Sequence, residues 1–127
     1  MNSRRQLLAS LFLAIAIAPA SADEIPALTI HLSSFAFSPD QIRLRRGVPV
    51  RLQLVNDSSG GHNFSAPEFF AASTYPGGTA PPGGKIDVPA GHTIDLVVVP
   101  GNAGTYRLEC THFLHATFGM TGRIIVE

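Results

Sequence analysis

The chain has 127 residues, 45% of them hydrophobic, with nine Lys and Arg balancing nine Asp and Glu, and a single cysteine. That length holds one domain around one core. The charge balance leaves no basic footprint for nucleic acid, and one cysteine excludes an internal disulfide.

The first predicted element is a targeting segment. Arg4 and Arg5 make a basic start, residues 7–18 are apolar except for Ser10, and Ala20, Ser21 and Ala22 form a small-residue cleavage site. This is the three-part pattern of a secretory signal, and the apolar run falls short of the roughly 20 residues of a membrane span. Residues 1–22 are therefore predicted to be a signal peptide cleaved after Ala22, with a retained anchor as the alternative. Residues 3–8, SRRQLL, also resemble a twin-arginine export signal; two ordinary basic residues of a general signal fit equally. The mature domain, 23–127, is expected in the periplasm, with no membrane association. Loss of Arg4 and Arg5 leaves seven basic against nine acidic residues. The cluster Arg43, Arg45 and Arg46, near Arg51, reads as a solvated strand face rather than a docking patch.

Within the domain, apolar residues recur at every second position, the period of half-buried strands. Leu28, Ile30 and Leu32 form one inward set, Ile42 and Leu44 the next, then Val48, Val50, Leu52 and Leu54. Ile94, Leu96 and Val98 follow. Tyr106, Leu108 and Cys110 share one parity, and Ile124 and Val126 close the chain. Turn signals lie between them, at Ser38-Pro39-Asp40, Arg46-Gly47, residues 56–61, Pro89-Ala90-Gly91 and Pro100-Gly101-Asn102. The pattern predicts an all-β protein, a sandwich or barrel of about seven or eight strands. Residues 66–84 break the pattern: a short helix is predicted over 67–73, and the Pro- and Gly-rich remainder reads as a long surface loop.

Parity places Cys110 facing inward at the end of its strand. An exposed free thiol in an exported protein is open to oxidation, so Cys110 is either buried and inert or occupied. Its neighbours bear on the choice, because Cys110, His115 and Met120 follow one another at equal spacing and His62 lies upstream in GGHNF. Thiolate, imidazole and thioether select copper or zinc over magnesium or calcium. Structural zinc sites rarely use thioether. The alternatives are a buried cysteine with unrelated His and Met, or a Cys110–His hydrolase, for which no acid partner or oxyanion device is evident.

The segment YRLECTHFLHATFGMTGRIIVE resembles the last two strands and ligand loop of the cupredoxins, the small blue copper proteins. FAFSPDQIRLRRGVPVRLQLVN followed by GGHNF resembles their opening strands and first ligand. The resemblance implies a Greek-key β-sandwich with a metal site at one end. It implies one type 1 copper ion held by His62, Cys110 and His115, with Met120 axial and the Gly61 carbonyl approaching from the opposite side. It also implies that Asn63 and Thr111 pin the two ligand segments together. The chain departs from many relatives in having Phe113-Leu114 before His115; with Phe118 these residues are expected to form an apolar collar around that imidazole or to plug the end of the barrel. His112 is expected to be a loop residue rather than a ligand, and His31 and His92 structural or exposed. The implied function is that of a monomeric, periplasmic electron carrier, not an enzyme, meeting redox partners (a cytochrome, oxidase or reductase) transiently. The alternative is a copper-binding protein for storage, delivery or tolerance without redox shuttling.

Overall fold

The computed structural model describes residues 25–127. The expected signal peptide and its cleavage site lie outside those residues. Ten strands, one α-helix and one 3-10 turn follow one another: β1 Ala27–Ser33, β2 Ala36–Ser38, β3 Gln41–Leu44, β4 Val50–Val55, β5 His62–Ser65, α1 Pro67–Ala71, β6 Ser73–Thr74, the 3-10 turn Pro82–Gly84, β7 Lys85–Val88, β8 Thr93–Pro100, β9 Gly104–Glu109 and β10 Thr121–Val126. They form two five-stranded sheets, in the orders β2-β1-β4-β8-β6 and β3-β10-β9-β5-β7. From β2 to β9 each successive strand lies in the opposite sheet. The pairs β1–β4 and β3–β10 are parallel and the others antiparallel. No described helix is long and apolar enough to cross a membrane.

The expected all-β sandwich is present, and alternation explains its long strands. Ile30 and Leu32 of β1 and Leu52 and Leu54 of β4 are fully buried, as are Leu108 and Ile124 of β9 and β10; the residues between them point outward or are partly covered. The inner faces interdigitate as one core. Strands β2 and β6 are only three and two residues long, too short to show a period, which is why the sequence yields fewer strands. Val48 departs from its predicted set. It is 46% exposed, because Arg45 to Val48 form a turn in which the Val48 N–H donates to the Arg45 carbonyl at 3.2 Å; the strand starts at Val50. On β8, Ile94 and Leu96 are only half-buried. With Pro81, Pro82 and Ile86 they line an open groove of about 430 Å³ between β7 and β8.

The long segment after β5 is more structured than a loop. Pro at the first turn, where the helix has no use for its N–H, and Glu68 near the positive end start α1. The helix buries Phe69 and Phe70. Phe37, Phe64, Phe70 and Phe69 form a continuous aromatic chain with centroid separations of 5.3–6.0 Å, and Phe69 continues it to Tyr106 at 5.8 Å. The Tyr75 hydroxyl returns to donate to the Phe70 carbonyl at 2.7 Å, and β6 then adds to β8. The first half of the segment thus closes the core rather than standing free.

Candidate metal centre

At one end of the sandwich the N-terminus of β5, the C-terminus of β9 and the loop 110–120 meet. His62 begins β5 and is 4% exposed, and Cys110, directly after β9, is fully buried. The loop is a succession of tight turns bonded to itself: the His115 N–H donates to His112, the Met120 N–H to His115 and the Cys110 N–H to Met120, at 3.0, 2.9 and 3.1 Å. The last two bonds hold Met120, also fully buried, beside both Cys110 and His115 in backbone terms.

Three donor atoms converge. The His62 and His115 Nδ1 atoms are 3.2 Å apart, and Cys110 Sγ is 3.4 Å from His115 Nδ1. The donor atoms of all three residues lie within 4.8 Å of one another. Bonds of about 2.0 Å to nitrogen and about 2.3 Å to sulfur let two donors share an ion only when they lie within about 4 Å of each other, and both measured separations satisfy this. A thiolate with two imidazoles fits a soft or borderline ion, copper or zinc. The predicted residues His62, Cys110 and His115 are therefore brought together, although His62 is remote from the other two in sequence.

The surroundings fix each donor. The His62 Nε2 lies 3.1 Å from the Ser58 hydroxyl. Donation of Nε2–H to that oxygen selects the tautomer whose Nδ1 lone pair faces the other donors, the kind of outer contact that orients ligating imidazoles. Ser58 is set by Asn56: its N–H and hydroxyl reach Asn56 Oδ1 at 3.0 and 2.6 Å, while Asn56 Nδ2 donates to the Gly60 and Val88 carbonyls at 2.9 and 2.8 Å. Asn56 is buried, and every polar atom of its amide is used. Burial, followed by the neighbouring His115 and His112 charges, lowers the His62 pKa from its ordinary 6.5, which favours the neutral ring with a lone pair to donate. Cys110 Sγ accepts the Asn63 backbone N–H at 3.5 Å.

The expected pin is present. Asn63 Nδ2 donates to Thr111 Oγ1 at 2.7 Å, and the Thr111 N–H donates to Asn63 Oδ1 at 2.9 Å. Its origin is topological. Strands β5 and β9 are paired in register at Ser65 and Glu109; two residues further along that register Asn63 faces Thr111, where the side-chain amide replaces the ladder.

Other predicted residues sort clearly. Phe113, Leu114 and Phe118 are 87%, 44% and 62% exposed, so they form an apolar rim and do not plug the barrel. His112 is exposed and lies outside the convergent trio, its ring stacked on His115 at 5.4 Å. An added Cβ at Gly61 would lie 3.4 Å from His112 Cε1, at ordinary contact distance, so that ring lies over Gly61. His31 faces outward, 3.9 Å from Asp57, and His92 lies exposed on its turn, Nδ1 3.0 Å from the Ala90 carbonyl. Sequence reasoning missed Asn56, Ser58 and Phe35. The first two looked like turn residues, and their signal was only proximity to His62. Phe35, a large apolar residue in the β1–β2 turn, contacts His115.

A family model described as "Cupredoxin-like domain" matches residues 6–126. No curated protein matches the chain. Among solved structures it is similar to a sodium-dithionite-reduced auracyanin from the photosynthetic bacterium Roseiflexus castenholzii, with 17% identity, a TM-score of 0.62, and coverage of 80% of this chain and 96% of that one. It is also similar to an auracyanin B, with 19% identity, a TM-score of 0.63, and coverage of 87% and 93%. At these identities the likeness is one of fold.

Proposed function

The chain belongs to the cupredoxin-like family, and from that premise we propose that it is a mononuclear type 1 copper protein that carries single electrons between larger redox partners in the periplasm, without a substrate of its own. The observation that carries this reading is the convergence of two Nδ1 atoms and one buried Sγ at the end of a rigid sandwich. His62, Cys110 and His115 would hold the ion, with Met120 as the weak fourth donor. Copper held by this set supplies a one-electron couple that needs little rearrangement, because the set suits neither oxidation state fully.

The chain's own residues do the rest. Core packing around Cys110 and Met120 excludes water from the sulfurs. Ser58 and the Asn63–Thr111 pin hold the ligand segments in place. His115, partly exposed, is the ligand nearest solvent; Phe35 packs against its ring, Phe118 packs against Phe35, and exposed Leu114 precedes it in the chain. The loop 110–120 carries no Lys, Arg, Asp or Glu, so a partner would dock on apolar contact as a transient, largely salt-insensitive encounter.

Loading with Cu(II) tests the reading. An intense thiolate-to-copper absorption band and a fast reversible couple in voltammetry are expected, and Cys110→Ser should abolish the band, because the chain has no other thiol. Colourless Cu(I) binding without reversible oxidation would instead identify a protein that stores or delivers the metal.

A further inference from the structure

Among the described residues, two that are not glycine hold a positive φ, Phe35 at 60° and Leu114 at 64°. A bulky side chain in the left-handed region is crowded by its own backbone, and such a conformation persists only where the surroundings impose it. The two residues lie far apart in sequence, yet both adjoin His115. Leu114 precedes it directly. Phe35, on the turn between β1 and β2, sets its ring perpendicular to the imidazole, with centroids 5.2 Å apart and an interplanar angle of 87°. It also meets Phe118 at 5.4 Å.

Phe35 remains 42% exposed, so burial of its own surface does not account for the strained backbone. What the turn accomplishes is contact with His115. The other described rings against that imidazole are His62, a donor, and His112, which belongs to the same loop. Phe35 is thus the one ring contact to reach His115 from outside the donor set and its loop.

We propose that Phe35 is a positioning residue for His115: the β1–β2 turn presents its ring as a fixed wall that holds the imidazole with Nδ1 toward Cys110 Sγ and His62 Nδ1, before metal arrives as well as after. The inference rests on His115 being a ligand. Perpendicular aromatic packing is directional, so it restricts the imidazole torsion where a merely bulky aliphatic neighbour would not. A wall supplied by the sheet also ties the solvent-facing ligand to the rigid part of the fold. The loop 110–120, bonded largely to itself, then does not have to hold that ligand alone.

The test compares Phe35→Gly, Phe35→Leu and Phe35→Tyr with the unsubstituted protein, using Co(II) as the probe and the His115 ring resonances of the metal-free protein as a second readout. Glycine removes the ring and relieves the positive φ, so its unfolding midpoint should hold or rise while Co(II) affinity falls about tenfold, the size of effect seen when outer contacts to metal ligands are lost. The metal-free His115 ring resonances should show averaging between rotamers in Phe35→Gly and Phe35→Leu, and Phe35→Tyr should restore both readouts. Co(II) bound as tightly by Phe35→Gly as by the unsubstituted protein, with unchanged ring resonances, overturns the proposal. If the unsubstituted protein gives no thiolate-to-Co(II) band, the ligand assignment fails instead, and the metal-free ring resonances alone decide whether Phe35 positions His115.

Discussion

Removal of the Asn63–Thr111 pin offers a quantitative test of how the two ligand segments are held. Asn63→Ala deletes two hydrogen bonds, of 2.7 and 2.9 Å, each worth about 1 kcal/mol net. Thr111 is exposed, so water can reach its freed N–H and the desolvation penalty stays small. The expected cost is about 2 kcal/mol, which lowers the melting temperature of a domain this size by about 10 °C. Thr111→Val deletes only the bond to Oγ1 but strands Nδ2 of a buried asparagine, for a cost of about 1 kcal/mol or somewhat more. Both substitutions remove the same Nδ2–Oγ1 bond, so the double variant should cost little more than Asn63→Ala alone, giving a coupling of about 1 kcal/mol. Urea unfolding of the metal-free proteins, followed by far-ultraviolet circular dichroism, measures all three. Additive costs, or an Asn63→Ala cost below about 0.5 kcal/mol, would refute the idea that this pair replaces the strand ladder.

Ser58→Ala should leave the fold nearly as stable but weaken metal binding by about tenfold, because His62 Nε2–H loses the oxygen that selects its tautomer; calorimetric titration with Co(II) reads the change. Burial pushes the Tyr75 hydroxyl up from 10.0 to about 12. A raised folded-state pKa contributes stability that is complete below pH 10 and lost as pH rises toward 12. Tyr75→Phe, which loses the bond to Phe70 worth about 1 kcal/mol, should therefore be less stable than the unsubstituted protein at pH 8, with the gap closing or inverting by pH 11. A gap that does not change with pH in urea unfolding would contradict this environment for Tyr75.

The sandwich was legible wherever a strand is long and has one wet face. Ile30 and Leu32, Leu52 and Leu54, and Leu108 and Ile124 mark the core because solvent selects the residues between them. Strand β5 gives no such signal: all four of its residues are buried, so HNFS shows no alternation. Val48 misled because parity cannot tell the last residue of a turn from the first of a strand. In the segment 66–84, Phe69 and Phe70 marked a buried helix face, but the two-residue strand β6 depends on a partner distant in sequence. The candidate site was more legible than the fold around it, since thiol, imidazole and thioether are rare groups whose shared segment is itself a signal. What holds them was not. Asn56, Ser58 and Phe35 are common residues whose roles exist only once the chain has brought them to His62 and His115.

That supporting shell draws on separate parts of the fold: Ser58 reaches His62 Nε2 at 3.1 Å, and the other nitrogen of that ring lies 3.2 Å from His115 Nδ1. The pin at Asn63, the turn at Asn56 and the wall at Phe35 approach the donors from different elements, so the cost of gathering them is met during folding of the sandwich rather than at the moment of metal binding. If the protein carries electrons as proposed, a site assembled in this way would have little left to rearrange when one enters or leaves.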